Sequence, residues 1–376
     1  MPEPSASQSI QSDYERAVCA HAEYYAGVIG QQGPLLHGAG VADRGRAQQQ
    51  ALHALAMELE NIYDALDTGL SRGRVGWLLP IARYLCRYLA LIGSVFEART
   101  HYTALLAAAQ RLGTRELELQ VQLGLNLVLW RLGNLDATRE ACRAATELAR
   151  ELGDLYGEAL SLNNLGNVEH DQGNYATARE LQQRALAIRR ELGDRHGEAY
   201  SLANLGVVEY SQGNNATAGE LQQQALVIFR ERGDCHGEAM SLGNLGVMES
   251  IQGNYATAGE LQQQSLAIRR ELGDRLGEAA CLGNLGFVEI CKGNYGAARK
   301  LLHQTLAING ELGDRHGEAY SLVNLGVVEY RQGGYVEARR LYEQALAIQR
   351  ELGDKFGLVG TCLYAAVLLS ATSPKA

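Results

Sequence analysis

The amino-acid sequence predicts an all-α solenoid, in which antiparallel helix pairs stack into one array. The first observation behind this prediction is that much of the chain repeats itself with a period of 40 residues. The second is that each copy contains two stretches with apolar residues at helical spacing, separated by turns that contain glycine. The third is composition, because 376 residues include only 5 prolines, and the 43 glycines recur mostly singly at fixed positions.

Five near-identical units form the centre of the array, and each begins with the Asp of a Gly-Asp pair: 154–193, 194–233, 234–273, 274–313 and 314–353. Two less regular units precede them, 74–113 and 114–153, so that the repeat array spans 74–353. Residues 354–371 are expected to form a C-terminal capping helix, which gives about seven helix pairs plus a terminal helix. We expect a helical N-terminal cap or connector at 13–73 and disordered ends at 1–12 and 372–376.

The unit 194–233 illustrates how the sequence specifies two helices. Asp194 is a suitable N-cap, and Glu198 favours the positive end of the first helix dipole. Gly213 interrupts the helical pattern, and the second helix, 215–232, ends before Gly233, which suits a left-handed C-terminal position. Because two antiparallel helices cannot bury their apolar faces alone, neighbouring units must stack to form a continuous core.

Composition and motifs exclude several classes of function. A formal net charge of −9 argues against a nucleic-acid groove, which needs a basic face. No stretch approaches about 18 continuous apolar residues, and the N-terminus lacks a signal peptide, so we expect a cytoplasmic protein without membrane contact. Seven cysteines without a Cys-x-x-Cys pair predict neither a disulfide framework nor a zinc site, and we expect no metal and no cofactor.

The repeat carries a pattern that identifies its family by resemblance. The series Leu202-x-x-Leu205-Gly206, Gly213, Ala218, Ala225 resembles the tetratricopeptide repeat. In its 40-residue length it is similar to Pins-type spindle-orientation adaptors and, more loosely, to kinesin light chains. The resemblance covers about 74–371 and implies a right-handed superhelix with a concave groove for a peptide or protein segment. One departure is Glu209, which stands where the family often has an aromatic residue.

The N-terminal part carries a second resemblance. His21, Tyr24, Tyr25, Glu58, Glu60, Asn61 and Ala65 stand as in a helical connector of bacterial signal-transduction ATPases, the STAND type. In those proteins the connector joins an ATP-binding switch to a tetratricopeptide sensor. The sequence contains no Gly-x-x-x-x-Gly-Lys-Ser/Thr phosphate loop, so the resemblance implies a sensing arm that is separate from its ATPase.

The resemblance places one face of each first helix in the groove, and one polar residue recurs on that face. It is an asparagine in all five units: Asn164, Asn204, Asn244, Asn284 and Asn324. Asparagine costs about 0.5–0.7 kcal/mol against alanine in a helix. A carboxamide both donates and accepts, so a ladder of asparagines can hold the backbone of an extended peptide. The alternative is that the array duplicated recently and the identity carries no functional meaning.

The remaining groove positions are apolar for residues expected at a surface: Tyr200, Val207, Tyr210, Val247, Phe287, Ile290, Tyr320, Val327 and Tyr330. A concave apolar strip with polar edges is typical of a partner-binding surface. The alternative is that successive first helices bury part of this strip against one another.

Two further repeated residues have structural interpretations. Glu169, Glu209, Glu249, Glu289 and Glu329 fall on the core side of the first helices and need buried partners, for which the second-helix arginines, repeated tyrosines and serines are candidates. We interpret them as a structural ladder, because five equal copies do not make an acid/base pair. The outer-loop histidines, His196, His236 and His316, are expected to be solvated.

The sequence therefore predicts a non-catalytic adaptor or scaffold that binds a peptide or protein segment in the concave groove. The alternative function is the sensor or regulatory arm of a signal-transduction ATPase system. We also expect self-association through the helix 354–371, where Leu363, Val367 and Leu368 are candidates to face the last repeat while Tyr364 and Leu369 are candidates for exposure.

Overall fold

The computed structural model describes residues 6–33, 44–92, 95–352 and 354–372. Within these ranges the secondary structure is helical, with no strand, and short turns join the helices. The chain divides into two compact units, Met1–Cys235 and His236–Ala376, and each is described by itself.

The first unit contains an N-terminal helical part followed by helix pairs. The helices are α1 (Ala6–Gln32), α2 (Arg44–Met57), α3 (Leu59–Arg72), α4 (Val75–Ile92), α5 (Val95–Leu112), α6 (Arg115–Arg131), α7 (Leu135–Leu152), α8 (Leu155–Asp171), α9 (Tyr175–Glu191), α10 (Arg195–Ser211) and α11 (Asn215–Arg232). Helix α1 packs on α3 and α4, and from α5 onward each helix packs on the next. The even-numbered helices α4, α6, α8 and α10 also contact one another in sequence, so they form one inner layer.

The second unit repeats the same arrangement. Its helices are α12 (Cys235–Ile251), α13 (Tyr255–Leu272), α14 (Arg275–Cys291), α15 (Tyr295–Leu312), α16 (Arg315–Arg331), α17 (Tyr335–Leu352) and α18 (Lys355–Thr372). Each helix from α13 packs on its successor, and α14, α16 and α18 contact in order as an inner layer. Seven helix pairs, from α4/α5 to α16/α17, and the terminal α18 confirm the predicted all-α solenoid.

The helix ends follow the local signals in the sequence. The side chain of Asp194 accepts a hydrogen bond from the backbone N–H of Gly197 at 2.9 Å, as the N-cap interpretation requires. The same bond recurs at Asp154, Asp274, Asp314 and Asp354. Gly233 closes α11 with φ of 55°, in the left-handed region that glycine enters without a steric penalty.

A pair of arginines holds a carboxylate in the outer turns of two repeats. Glu198 accepts hydrogen bonds from Arg190 at 2.8 Å and from Arg195 at 2.5 Å. Glu278 accepts the equivalent bonds from Arg270 and Arg275. Burial acts to raise the pKa of both glutamates, but the arginine hydrogen bonds outweigh it and the pKa of each is lowered.

The repeated glycine of the first helix marks a close approach to the second helix. A Cβ on Gly206 would lie 3.0 Å from Nε2 of Gln222 and 3.2 Å from the carbonyl oxygen of Ala218. Gln222 is fully buried and donates to the carbonyl of Ala203 at 2.7 Å, so the glycine makes room for a buried hydrogen bond between the two helices.

The ends of the chain differ in part from the expectation. Residues 1–12 were expected to be disordered, but α1 begins at Ala6, because the run from Ala6 contains no helix-breaking residue. Residues 1–5 and 373–376 lie outside the described residues. Helix α18 occupies the stretch expected for the capping helix, with Thr372 as its last residue. No helix among the described residues combines the length and the apolarity that crossing a membrane requires.

Candidate functional site

The inner layer of the second unit contains a cleft. It lies between α12, α14 and α16, encloses about 160 Å³, and is lined by Gly246, Val247, Ser250, Ile251, Gln262, Asn284, Phe287, Val288 and Tyr320. Four of these residues, Val247, Asn284, Phe287 and Tyr320, are among the predicted groove residues. None of the nine described lining residues carries a charge. The structure therefore brings four of the predicted groove residues to one concave place.

Ile251 and Tyr320 are the most exposed side chains of the cleft. Ile251 is 57% exposed and Tyr320 is 46% exposed, although both are large and apolar or aromatic. Ile251 was not singled out in the sequence. The equivalent positions hold unrelated residues, Asp171, Ser211, Cys291 and Arg331, so no repeated pattern marked it.

The asparagine ladder is not uniform. Asn164, Asn204, Asn244 and Asn284 are partly exposed on the inner layer. Nδ2 of Asn204 donates to Oδ1 of Asn163 in the preceding repeat at 3.1 Å, which ties two inner helices together. Asn324 is only 6% exposed, so its expected place in an open groove is corrected: α16 packs against α14, α17 and α18.

Other predicted groove residues are covered by neighbouring helices. Ile290 is 9% exposed and belongs to a core cluster with Ala319 and Leu322, so the prediction that it faces a ligand is wrong. Val327 packs against the same cluster. Tyr330 packs near Tyr342 and Leu368 and is tilted against the ring of Tyr335 at 5.7 Å. In this region the inner helices bury part of the strip against one another, which was the alternative interpretation.

The inner layer of the first unit is polar where the second is apolar. Nε1 of Trp130 donates to Asp171 at 2.7 Å, and Nδ1 of His170 lies 3.3 Å from the same carboxylate. Nε2 of His170 lies 2.8 Å from Oγ of Ser211. This chain of contacts links α6, α8 and α10, and Val207 and Tyr210 are partly buried beside it. Burial raises the pKa of Tyr210.

We interpret this chain of contacts as a polar link between three helices. His170 and Asp171 are adjacent in the sequence, and the other carboxylate oxygen of Asp171 is occupied by the Trp130 indole. The acid and the base are also partly exposed. A nucleophile site would need the carboxylate to orient the histidine from a separate element.

Tyr200 has an internal partner in addition to its place on the inner layer. Its hydroxyl donates to Asp234 at 3.0 Å, and Nε2 of His196 lies 2.9 Å from the same carboxylate oxygen. Asp234 is 4% exposed, so the expectation that His196 is merely solvated is corrected. His236 and His316 lie farther from the equivalent carboxylates, at 4.0 and 3.9 Å. Among the described residues no group of His, Cys, Asp and Glu side chains is placed to hold a metal ion.

The repeated glutamates form a structural ladder between repeats. Glu209 is buried, lies 2.7 Å from Nε of Arg179 in the preceding repeat, and accepts from Asn214 of its own inner turn at 2.7 Å. The same pairing joins Glu169 to Arg139 and Glu329 to Arg299. The second-helix arginines, one of the predicted partner types, are therefore the partners in these three repeats, and the inner-turn asparagine was not foreseen.

One repeat of the ladder lacks its arginine. Gly259 stands at the position of Arg179 and Arg299. There Glu289 pairs with Lys292 at 3.2 Å, and Nζ of Lys292 lies 3.6 Å from where a Cβ on Gly259 would be. The other repeats carry glutamine at the position of Lys292. The lysine thus supplies the cation that the glycine removes.

The terminal helix α18 exposes an apolar face. Leu363 is 64% and Val367 is 51% exposed, so the expectation that they face the last repeat is wrong, whereas Leu368 is 3% exposed and does pack inward. Tyr364 and Leu369 are also exposed, and the Tyr364 ring stacks on Tyr342 at 6.1 Å.

Comparison with protein families finds the tetratricopeptide repeat, matched at residues 117–191, 157–231, 197–271, 237–311 and 277–351. No curated protein sequence matches the chain.

Solved structures share the fold at low sequence identity. A Rap protein complexed with competence and sporulation factor is 13% identical, with 93% of this chain and 98% of that chain covered and a TM-score of 0.60. A STAND protein with a tetratricopeptide repeat sensor from Pyrococcus horikoshii is 14% identical, with 85% and 50% covered and a TM-score of 0.52. A kinesin light chain with TPR-like repeats from Podosopora anserina is 25% identical over 51% of this chain and 94% of that chain, but its TM-score of 0.41 is too low to support an inference.

Proposed function

The chain belongs to the tetratricopeptide repeat family, and from this premise we propose that it is a non-catalytic adaptor that binds an extended peptide or protein segment along its inner helices. Stacked helix pairs offer a long concave surface, and such a surface suits an extended chain better than a compact small molecule.

The observation that carries the proposal is the uncharged cleft between α12, α14 and α16. It places the carboxamide of Asn284 beside the apolar side chains of Val247, Phe287 and Tyr320. Asn244 occupies the same position one repeat earlier, and among the described residues neither carboxamide has a side-chain hydrogen bond that would occupy it. Free carboxamides beside an apolar surface suit a ligand whose backbone needs donors and acceptors while its side chains need burial.

The test removes the carboxamides and keeps the helices. We expect Asn244→Ala combined with Asn284→Ala to weaken capture of partners in a quantitative pull-down, because two backbone hydrogen bonds are lost while alanine favours the helix. The matched control is Gln263→Ala with Gln264→Ala, which removes two exposed carboxamides from the outer helix α13. Equal capture by both double variants and the wild type would refute the groove.

A second candidate function is the sensor arm of a signal-transduction ATPase system. It is favoured by the N-terminal residues that carry the resemblance, because several of them contact one another. Asn61 donates to Glu58 at 2.8 Å, and the rings of His21 and Tyr25 lie 4.7 Å apart. Burial, followed by the charge of Glu58, raises the pKa of Tyr25. The likeness to the STAND structure extends over 85% of this chain, although at 14% identity it concerns the fold.

The sensor proposal is tested with an ATPase encoded beside this chain. Its rate of ATP hydrolysis is measured with and without the purified chain. A change that disappears when α1–α3 is replaced by an unrelated helical cap supports the sensor function, and an unchanged rate excludes regulation of that ATPase.

We extend the proposal to self-association through α18. Its exposed face carries Val359, Leu363 and Leu369 with no acidic residue in the first turn and no basic residue in the last. Such a face is costly to leave in water and suits contact with a like face. Gel filtration over a hundredfold range of concentration tests this, since a constant monomer size would contradict it.

A further inference from the structure

The cleft between α12, α14 and α16 has the size of one ring. Its volume is about 160 Å³. An apolar cavity of about 150 Å³ is known to accept a benzene molecule. A side chain that fills the cleft therefore has about the volume of a six-membered ring.

The walls of the cleft select against charge. The described residues that line it contribute neither a carboxylate nor an ammonium or guanidinium group. A charged side chain that entered would lose hydration and meet no opposite charge, which costs several kcal/mol in general. An uncharged side chain carries no such penalty.

Two walls are aromatic and two are aliphatic. Phe287 and Tyr320 offer ring surfaces, while Val247 and Ile251 cover the remaining sides. Aromatic pairs gain stabilisation beyond the area that they bury when their rings meet edge to face or offset. The exposed edges of Ile251 and Tyr320 would be covered by such an occupant.

We propose that this cleft is the anchoring subsite of the groove and that it takes one uncharged aromatic side chain of the phenylalanine or tyrosine type from an extended partner segment. The partner segment is uncharged at that position and lies beside the Asn284 carboxamide, which is placed to hold its backbone. This inference rests on the proposed peptide-binding function and adds the chemistry of the residue that is recognised.

The experiment begins with a displayed library of random 12-residue peptides, selected on the full chain. We expect the selected sequences to share a Phe or Tyr without an adjacent requirement for charge. The strongest peptide is then synthesised with that ring and with Ala or Glu in its place. Burial of a ring predicts that the Ala peptide binds at least tenfold more weakly and that the Glu peptide binds more weakly still.

Three protein variants locate the binding site. Val247→Trp fills the cleft, and Ile251→Asp adds a charge at its exposed edge, where folding tolerates a polar side chain. Val336→Trp is the control, because Val336 is 88% exposed and lies outside the cleft. We expect the first two variants to weaken binding at least tenfold by fluorescence anisotropy and the control to bind as the wild type does, with all three retaining their helical circular dichroism.

The outcomes separate the two proposals. If selected peptides depend on Asn244 and Asn284 but lack an aromatic residue, or bind the Ile251→Asp variant unchanged, the aromatic subsite is refuted and the adaptor function stands. If the library yields no binder, or binders that ignore both asparagines and the cleft, the groove itself is refuted and the subsite with it. If the ring is required and both cleft variants lose binding, the inference is supported.

Discussion

The exchange of an arginine for a glycine and a lysine in the glutamate ladder leads to a stability prediction. In the last complete repeat, Arg299 contacts Glu329 at 3.1 and 2.6 Å and also donates to Gln332 at 2.6 Å. In the preceding repeat the three positions hold Gly259, Glu289 and Lys292. The double variant Gly259→Arg with Lys292→Gln recreates the first arrangement in the second place.

The expected gain has two parts. A Cβ on Gly259 meets Nζ of Lys292 at 3.6 Å and Cγ1 of Val288 at 3.9 Å, which are ordinary contacts, so a side chain fits. Replacing a glycine within a helix gains about 0.8 kcal/mol. A forked arginine-carboxylate pair that is partly buried adds about 0.7 kcal/mol over the lysine pair. The free energy of unfolding should therefore rise by about 1.5 kcal/mol, which corresponds to about 4 °C in the melting temperature.

The assay is urea unfolding followed by circular dichroism, with the variants of a double-mutant cycle. Gly259→Ala measures the helix contribution alone. Gly259→Arg alone should gain little more than the alanine variant, because two cations then compete for Glu289. The cycle should show a favourable coupling of about 1 kcal/mol. Additive effects, or a double variant no more stable than Gly259→Ala, would refute the assignment of Lys292 as the substitute cation.

Two further predictions concern packing and pH. Gly246→Ala should destabilise the fold by about 1–3 kcal/mol, because its Cβ would lie 2.8 Å from Gln262 and 3.2 Å from the Ala258 carbonyl, whereas Gly219→Ala, with open space around it, should stabilise by up to about 1 kcal/mol; urea midpoints of opposite shift check this pair. For pH, the lowered pKa of Glu198 means that its contribution to stability is complete above its ordinary value of 4.5 and is lost as the pH falls through the folded pKa. Glu198→Gln should therefore lower the melting temperature at pH 7 and have a shrinking effect below pH 4.5, and a difference that is the same at both pH values would contradict the arginine clamp.

Much of the fold could be predicted because its signals are local. The second helix of the unit 194–233 was expected at 215–232, and α11 runs from Asn215 to Arg232. Asp194 and Gly233 set these limits through their own backbone and side-chain bonds, and neither depends on distant contacts. The 40-residue period then fixes the order of the helices.

The depth of individual side chains could not be predicted in the same way. Asn284 and Asn324 occupy the same repeat position, yet one lines a cleft and the other is buried. Ile290 follows the same pattern as Tyr210 but joins the core. Exposure at these positions depends on the helix that follows in the stack, which a pattern within one repeat does not contain. The partners of Glu209 were similarly hidden, because Arg179 lies 30 residues away in another repeat.

The cleft has a consequence for how a bound segment is aligned. A row of identical repeats would let a peptide slide by one repeat and find the same contacts again, so several alignments would be populated equally. Asn204 is already engaged by Asn163, and only the surroundings of Phe287 and Tyr320 form a described ring-sized cleft. The divergence of a few inner residues therefore gives the array an origin, from which a partner segment is read in one frame.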